Sequence, residues 1–258
     1  MSSFVDRIAQ VLPRPGRAPA QPLSQRLSAV AELVPQGAVL ADIGTDHAWL
    51  PIHLVHQRKV PSALAADIKT APLQGARQRV QDHRLNGRIE LRQGSGLTVL
   101  TPGEATVVTI AGMGGKRIIE LVRASPAVVA RLDRLVVQPN TEVPRLRRAL
   151  SKLGLCLVDE RLIHEDGRWY SILAWGPGGD SPEWSAEDLQ FGPPLRQRAD
   201  PALRRFLGDE LTRVARILAK ATHQGAAPEA LRSKHHELAQ IEAELARLAL
   251  VERQIRTQ

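Results

Sequence analysis

Between residues 38 and 177, short apolar segments rich in β-branched residues alternate with longer segments whose apolar positions recur every three or four residues. That alternation constrains the fold more than any single motif. "AVLADI" (38–43), "SALAAD" (62–67), "RIELRQG" (88–94), "ATVVTIAG" (105–112) and "RLVVQPN" (134–140) are predicted strands. "HAWLPIHLVHQR", "APLQGARQRVQDHRL", "GKRIIELVRAS" and "TEVPRLRRALSKLG" are predicted helices. Strands apolar on both faces, each followed by an amphipathic helix, require a parallel sheet covered on both sides.

The segment "LCLVDERLIHEDGRWYSILAWG" (155–176) breaks the alternation, with two strands meeting at "EDG". The prediction is therefore an α/β fold: a mostly parallel seven-stranded sheet with a terminal antiparallel strand. This is the layout of the Rossmann-like fold of S-adenosylmethionine-dependent methyltransferases. A helix at "LSQRLSAVAELV" (23–34), stopped by Pro35 and Gly37, precedes the first strand. Residues 1–22, with "LPRPGRAPAQP", are expected to be a flexible lead-in, and 23–178 the methyltransferase-like domain. In 190–254 the texture changes. Leu203, Leu207, Leu211, Val214 and Leu218, then Leu231, Leu238, Ile241, Leu245 and Leu248, describe two seams separated by Gly225 and Pro228. They predict an antiparallel helical hairpin of coiled-coil type.

Composition removes several function classes. The single cysteine, Cys156, excludes internal disulfides and a cysteine-cluster metal site, and no metal is expected. No apolar run reaches membrane-spanning length, and the first residues lack a signal peptide's hydrophobic segment, so a soluble cytoplasmic protein is expected. The formal net charge is +8, and the excess lies in residues 1–180, at +7 against +1 for 181–258. A polyanionic partner suits that balance, although a merely soluble basic protein shows it too.

In a sheet of this kind ligands bind at the carboxyl ends of the strands. "LADIGTDHAWL" (40–50) sits at the first such end and brings Asp42, Gly44, Asp46 and His47 to it. The G-x-G-x-x-G of dinucleotide binders is missing, and an acidic residue with one glycine suits a cofactor bearing a cationic amino group. A helix-capping carboxylate beside a turn glycine is the structural alternative. Asp67 ends the second strand, followed by Ile68, and is placed to accept hydrogen bonds from ribose hydroxyls, a feature shared with NAD enzymes. Gly94, Ser95 and Gly96 end the third strand and would admit a flat adenine, unless they are only a turn. Ala111, Gly112 and Met113 end the fourth, where the chain gives up side chains as though something approaches its backbone. "GMGGKR" is no phosphate loop: the G-x-x-x-x-G-K-[ST] spacing fails and Arg117 replaces the hydroxyl residue.

Together "LSQRLSAVAELVPQG", "LADIGTDHAWLP", "GSGL", "TIAGMGG", "LVVQPN", "EDGRWYSI" and "FGPPLR" resemble, in order, the bacterial tRNA (adenine-22-N1)-methyltransferase family, over roughly residues 23–250. The resemblance implies S-adenosylmethionine as methyl donor, tRNA as acceptor and N1 of an adenine, in the D-loop region, as target. It places Asp42, Gly44, Asp46, His47, Asp67, Ile68, Gly94, Ser95, Gly96, Ala111, Gly112 and Met113 on the cofactor side. Asp46 is the candidate carboxylate at the reaction centre, and Asn140 the candidate contact to the base edge. Arg145, Arg147 and Arg148 are candidate phosphate contacts, and Tyr170 a candidate stacking residue. The hairpin is expected to help hold tRNA, and a monomer is expected. A methyltransferase for another RNA or a small molecule, or a non-catalytic RNA-binding protein with a degenerate cofactor fold, remain the alternatives.

Overall fold

A computed structural model of the chain describes residues 22–178, 183–224 and 227–256. The expected lead-in, up to residue 21, lies outside them. The chain divides into two compact units, one ending at Pro182 and one beginning at Glu183.

The first unit opens with α1 (Gln25–Glu32), whose first turn is capped by Ser24 Oγ accepting from the Leu27 amide at 3.3 Å. Its C-terminal end is closed by Lys59, whose Nζ donates to the Ala31 and Glu32 carbonyls at 2.6 and 3.0 Å. Then follow β1 (Val39–Ile43), α2 (Trp49–His56), β2 (Ser62–Asp67), α3 (Thr70–Asp82) and β3 (Ile89–Gln93). A short 3₁₀ turn, Gly96–Val99, leads to β4 (Val107–Met113), α4 (Gly115–Arg123), α5 (Pro126–Val129) and β5 (Arg134–Pro139). Helix α6 (Val143–Lys152) and the hairpin of β6 (Leu155–Glu165) and β7 (Arg168–Pro177) complete it.

The seven strands lie in the order β3-β2-β1-β4-β5-β7-β6. Strands β1 to β5 pair in parallel, and β7 is antiparallel to both of its neighbours, β5 and β6. The hairpin turns at Asp166 and Gly167, whose φ values of 49° and 72° are those an Asp-Gly turn demands. The predicted mixed sheet is thus present. Leu40, Ala41, Val108, Ile110, Val136 and Val137 are fully buried in the central strands, each large side chain contributing about 1.5–3 kcal/mol on leaving water.

Strand order reverses between β1 and β4. The chain runs outward through β2 and β3, then returns to build β4 and β5 on the other side of β1. At such a switch point neighbouring crossovers diverge, opening a crevice at the carboxyl ends of the strands.

The second unit comprises α7 (Ala186–Phe191), α8 (Pro193–Gln197), α9 (Pro201–His223) and α10 (Pro228–Arg256). Helices α9 and α10 pack together as a hairpin, with Leu203, Leu207, Val214 and Leu218 of one and Ile241 and Leu248 of the other buried at positions of the two seams. The exception is Glu244, which lies in the seam at 3% exposure. Arg196 of α8 grips it through two hydrogen bonds of 2.9 Å, and Arg247 donates to it as well. A buried carboxylate is tolerated there because its charge is matched and its lone pairs are used.

Candidate active site

A cleft of about 440 Å³ opens at the switch point, lined by Arg26, Asp42, Gly44, Asp46, Asp67, Ile68 and Ala111–Met113, among others. A second recess of about 450 Å³ lies at the far end of the sheet, walled by Val122, Pro126, Leu155 and Pro177. Size does not separate the two. The first has convergent carboxylates and lies at the strand ends where α/β folds bind ligands, and the second has neither.

Asp42 forms the floor. Register puts it opposite Thr109 of β4, whose Oγ1 donates to the carboxylate at 2.6 Å. Burial pushes its carboxyl above the usual range, and the Thr109 hydrogen bond only partly opposes that. Gly44 follows at φ 75°, and a Cβ there would lie 2.2 Å from Met113 Cε. The left-handed backbone is what favours glycine, since the flexible end of the Met113 side chain could move aside.

Asp46 stands at the mouth with its side chain 83% exposed, 3.3 Å from His47 Nε2. His47 has φ 62° and Ala48 φ 58°, so the chain turns sharply before α2 begins. The His47 ring lies against Gly75 in α3, where any Cβ would come within 2.4 Å of Nδ1. This explains a glycine inside a helix, where it otherwise costs about 1 kcal/mol. Asp67 ends β2 beside the cleft and its Oδ1 accepts from the Lys69 amide at 2.7 Å. Ile68 is 58% exposed, a large apolar surface at the cleft's rim. Trp49 also lines the cleft, with the Arg79 guanidinium 4.6 Å above its ring.

The opposite wall is the end of β4. The β4–β5 ladder shifts register between Ala111 and Met113, and Gly112 has φ 77°. A bulge at a strand end beside a ligand crevice re-aims the backbone. Asn140 holds the bulge: its Nδ2 donates to the Gly112 carbonyl at 2.8 Å, and its amide donates to the Met113 carbonyl at 2.7 Å.

Residues 23–173 match a family model described as a methyltransferase domain. The tRNA (adenine(22)-N(1))-methyltransferase of Bacillus subtilis (strain 168) is 40% identical over 170 residues, 66% of this chain and 71% of that one. The chain belongs to the tRNA (adenine(22)-N(1))-methyltransferase family. Among solved structures, the B. subtilis m1A22 tRNA methyltransferase TrmK superposes with TM-score 0.72 at 34% identity, covering 89% of this chain and 98% of that one. Streptococcus pneumoniae Sp1610, solved in complex with S-adenosyl-L-methionine, superposes with TM-score 0.78 at 32% identity, covering 87% and 100%.

Of the candidate cofactor residues, Asp42, Gly44, Asp46, Asp67, Ile68, Ala111, Gly112 and Met113 come together in the cleft of this family member. His47 stands beside it through Asp46. Gly94, Ser95 and Gly96 are not part of its wall. Gly94 donates its amide to the Asp67 carbonyl at 3.0 Å, and Cβ atoms at 94 and 96 would strike Val99 and Leu121 at 2.4 and 2.3 Å. The atoms met at both positions are the ends of side chains packed beneath the loop.

Two RNA candidates need correction. Arg147 is 2% exposed, wholly inside the unit, where it forms an ion pair with the fully buried Glu160 of β6. It joins α6 to the sheet and is no phosphate contact. Tyr170 packs against the apolar cluster under the sheet, its ring 5.5 Å from the Arg26 guanidinium, so it is not an open stacking platform. Arg145 and Arg148 are exposed, Arg145 pairing with Glu142 at 2.7 Å.

Two residues escaped the sequence reading: Arg26 of α1, which lines the cleft, and Gln138 of β5, which is fully buried behind it. A polar side chain in the run "RLVVQP" was the available signal for Gln138. Arg26 looked like an ordinary polar residue of an amphipathic helix.

Proposed function

We propose that this chain transfers a methyl group from S-adenosylmethionine to N1 of an adenine in tRNA, at position 22. The observation that carries this is Asp42: a desolvated carboxylate, with Thr109 as hydrogen-bond donor, on the floor of the cleft at the switch point. A carboxylate raised by burial gains most from a cationic ligand group that replaces lost hydration. The family relatives support the substrate assignment, and the rest of the cleft fits the cofactor. Asp42 suits its amino group, Asp67 its ribose hydroxyls and exposed Ile68 its purine ring, with Gly44 and Gly112 leaving room beside the backbone. When bound, the cofactor supplies a methyl group on a positively charged sulfur.

The protein's task is alignment. Adenine N1 carries an in-plane lone pair, so no covalent enzyme intermediate is needed. Holding nucleophile and methyl in line is worth up to about 7–11 kcal/mol. In folded tRNA the target edge is engaged, so the base is extruded into the cleft. Methylation leaves the ring cationic, and the Asp46 carboxylate at the mouth would stabilise that charge. Asn140, exposed and fixed against Gly112, is the contact for the base edge. Arg145 and Arg148 are candidate phosphate contacts, acting through counterion release. A tRNA substrate supports a cytoplasmic setting, and the catalyst is proposed to act as a monomer.

Incubating the protein with bulk tRNA and methyl-labelled S-adenosylmethionine, followed by nucleoside analysis, tests the reading. Label in 1-methyladenosine at position 22 is expected. Label in another nucleoside, or none despite cofactor binding, would overturn it.

A further inference from the structure

The wall facing the methyl acceptor is held by side chains instead of by the sheet. Within the bulge of β4, both backbone polar groups of residue Gly112 are taken by residues of the β5 end. Gln138 Oε1 accepts from the Gly112 amide at 3.0 Å, and Asn140 Nδ2 donates to its carbonyl at 2.8 Å. Gln138 is fully buried and its amide is engaged at both ends. Its Nε2 donates to Asn140 Oδ1 and to the Pro139 carbonyl, each at 3.0 Å. Its Oε1 also accepts from Arg26 Nη1 at 2.6 Å.

A primary amide is nearly symmetric in shape, and packing alone barely distinguishes its two orientations. Turned over, the Gln138 amide would set its NH₂ against the Gly112 N–H and its oxygen against Asn140 Oδ1. The Gly112 N–H and the Pro139 carbonyl already favour the orientation in place, and Arg26, whose guanidinium has only donors, reinforces it with a second bond that ties Gln138 Oε1 to α1. Arg26 is itself fixed: its amide donates to Glu165 Oε1 at 3.3 Å, and its guanidinium lies 5.5 Å from the Tyr170 ring centre.

We infer that Arg26 is a positioning residue for methyl transfer, acting through Gln138 to fix the Gly112 peptide and the Asn140 amide against which the target adenine is held. The fixed orientation leaves Asn140 one unused Oδ1 lone pair and one unused Nδ2 hydrogen, at an exposed side chain. The Oδ1 lone pair suits the exocyclic amine of adenine while N1 stays free to attack. Loss of Arg26 removes one of the two donors on Gln138 Oε1 and loosens the network, so the base binds but N1 is misaligned.

The inference rests on the proposed activity, and its test separates the two. S-adenosylhomocysteine affinity, and kcat and KM for tRNA, are measured in Arg26→Ala, Arg26→Lys and Gln138→Glu. In Arg26→Ala kcat should fall about tenfold or more, tRNA KM should change less, and S-adenosylhomocysteine affinity should stay within about threefold. Arg26→Lys, which keeps a donor, should recover part of the loss. Gln138→Glu keeps an acceptor for Arg26 and Gly112 but cannot donate to Asn140, and should lose kcat likewise. A kcat for Arg26→Ala within about twofold of wild type, or a loss carried by tRNA KM alone, overturns the assignment. Should Arg26→Ala fail to bind S-adenosylhomocysteine, Gln138→Glu decides: undiminished kcat overturns the role and depressed kcat supports it. Wild-type protein that makes no 1-methyladenosine counts against the activity itself, whereas wild-type turnover with undiminished variants counts only against Arg26.

Discussion

Asp42 carries a conflict between stability and binding that is visible at one carboxyl group. Burial raises its pKa, so the folded state holds the proton more tightly than the unfolded chain does. The stabilising contribution of that proton is complete below the unfolded value of 3.8 and is lost as pH rises through the folded pKa. Wherever the group is ionised, its burial makes it a liability to the empty protein. Asp42→Asn should therefore raise the melting temperature near neutral pH, since the amide oxygen still accepts from Thr109. The gain should shrink as the solution is acidified, and the stabilisation by S-adenosylhomocysteine should drop. An unchanged or lower melting temperature across this range would show that Asp42 is not strained in the way its burial implies. Asp42, Gly44 and Asp67 were legible because strand ends and acidic or glycine residues coincide along the chain. Arg26 and Gln138 were not. The two are joined to each other across 112 positions, and no local spacing reports such a pair.

Helix α6 shows what pattern reasoning loses within an element. "VPRLRRALSK" presents three arginines that look equivalent, yet Leu146, Arg147 and Leu150 share the buried face while Arg145 and Arg148 point to solvent. Arg147 stands four residues after Val143 and three before Leu150, the spacing of an apolar stripe, and that was the overlooked signal. Its charge is matched by the Glu160 carboxylate beside it. Arg147→Ala should cost about 3–5 kcal/mol, lowering the melting temperature by on the order of 10 °C, because it breaks a buried ion pair with the Glu160 carboxylate. Arg148→Ala should leave melting unchanged. Equal effects of the two in thermal denaturation would refute the distinction. Helix α2 makes a separate prediction about pH. Burial lowers the pKa of His53, with Lys59 adding to it, and burial with His83 nearby lowers that of His56, whose Nε2 lies 3.1 Å from His83 Nδ1. A depressed folded pKa means stability present above the unfolded value near 6.5 and lost as pH falls toward the folded one. Melting temperature should decline from about pH 7 to about pH 5.5, and His56→Gln should flatten the decline. A parallel decline in that variant would remove His56 as a cause.

For the molecule as a whole, the alternation of strands and helices with its closing hairpin was enough to anticipate the sheet. The strand order follows from how such units twist and cover both faces. The two helical seams were equally legible, except for Glu244, whose burial depends on Arg196 48 positions away. The distribution of charge is a property at this scale too. Net charge is +8, with nearly all the excess in residues 1–180, while the cleft floor is acidic through Asp42 and Asp67. The two ligands should then respond differently to salt. A cofactor that carries adenosine but no phosphate, held by hydrogen bonds and burial, releases few counterions, but tRNA held by arginines and lysines releases several. Raising monovalent salt from about 50 to about 200 mM should weaken tRNA binding by tenfold or more, while S-adenosylhomocysteine affinity stays within about twofold. The tRNA slope should become shallower in the Arg145→Ala/Arg148→Ala protein if those exposed side chains meet phosphates, and remain parallel to wild type if they do not. Filter binding over a salt series, beside calorimetry with S-adenosylhomocysteine, reads both. A tRNA affinity indifferent to salt would mean that base contacts and shape dominate recognition, and that the basic surface of the first unit serves some other purpose.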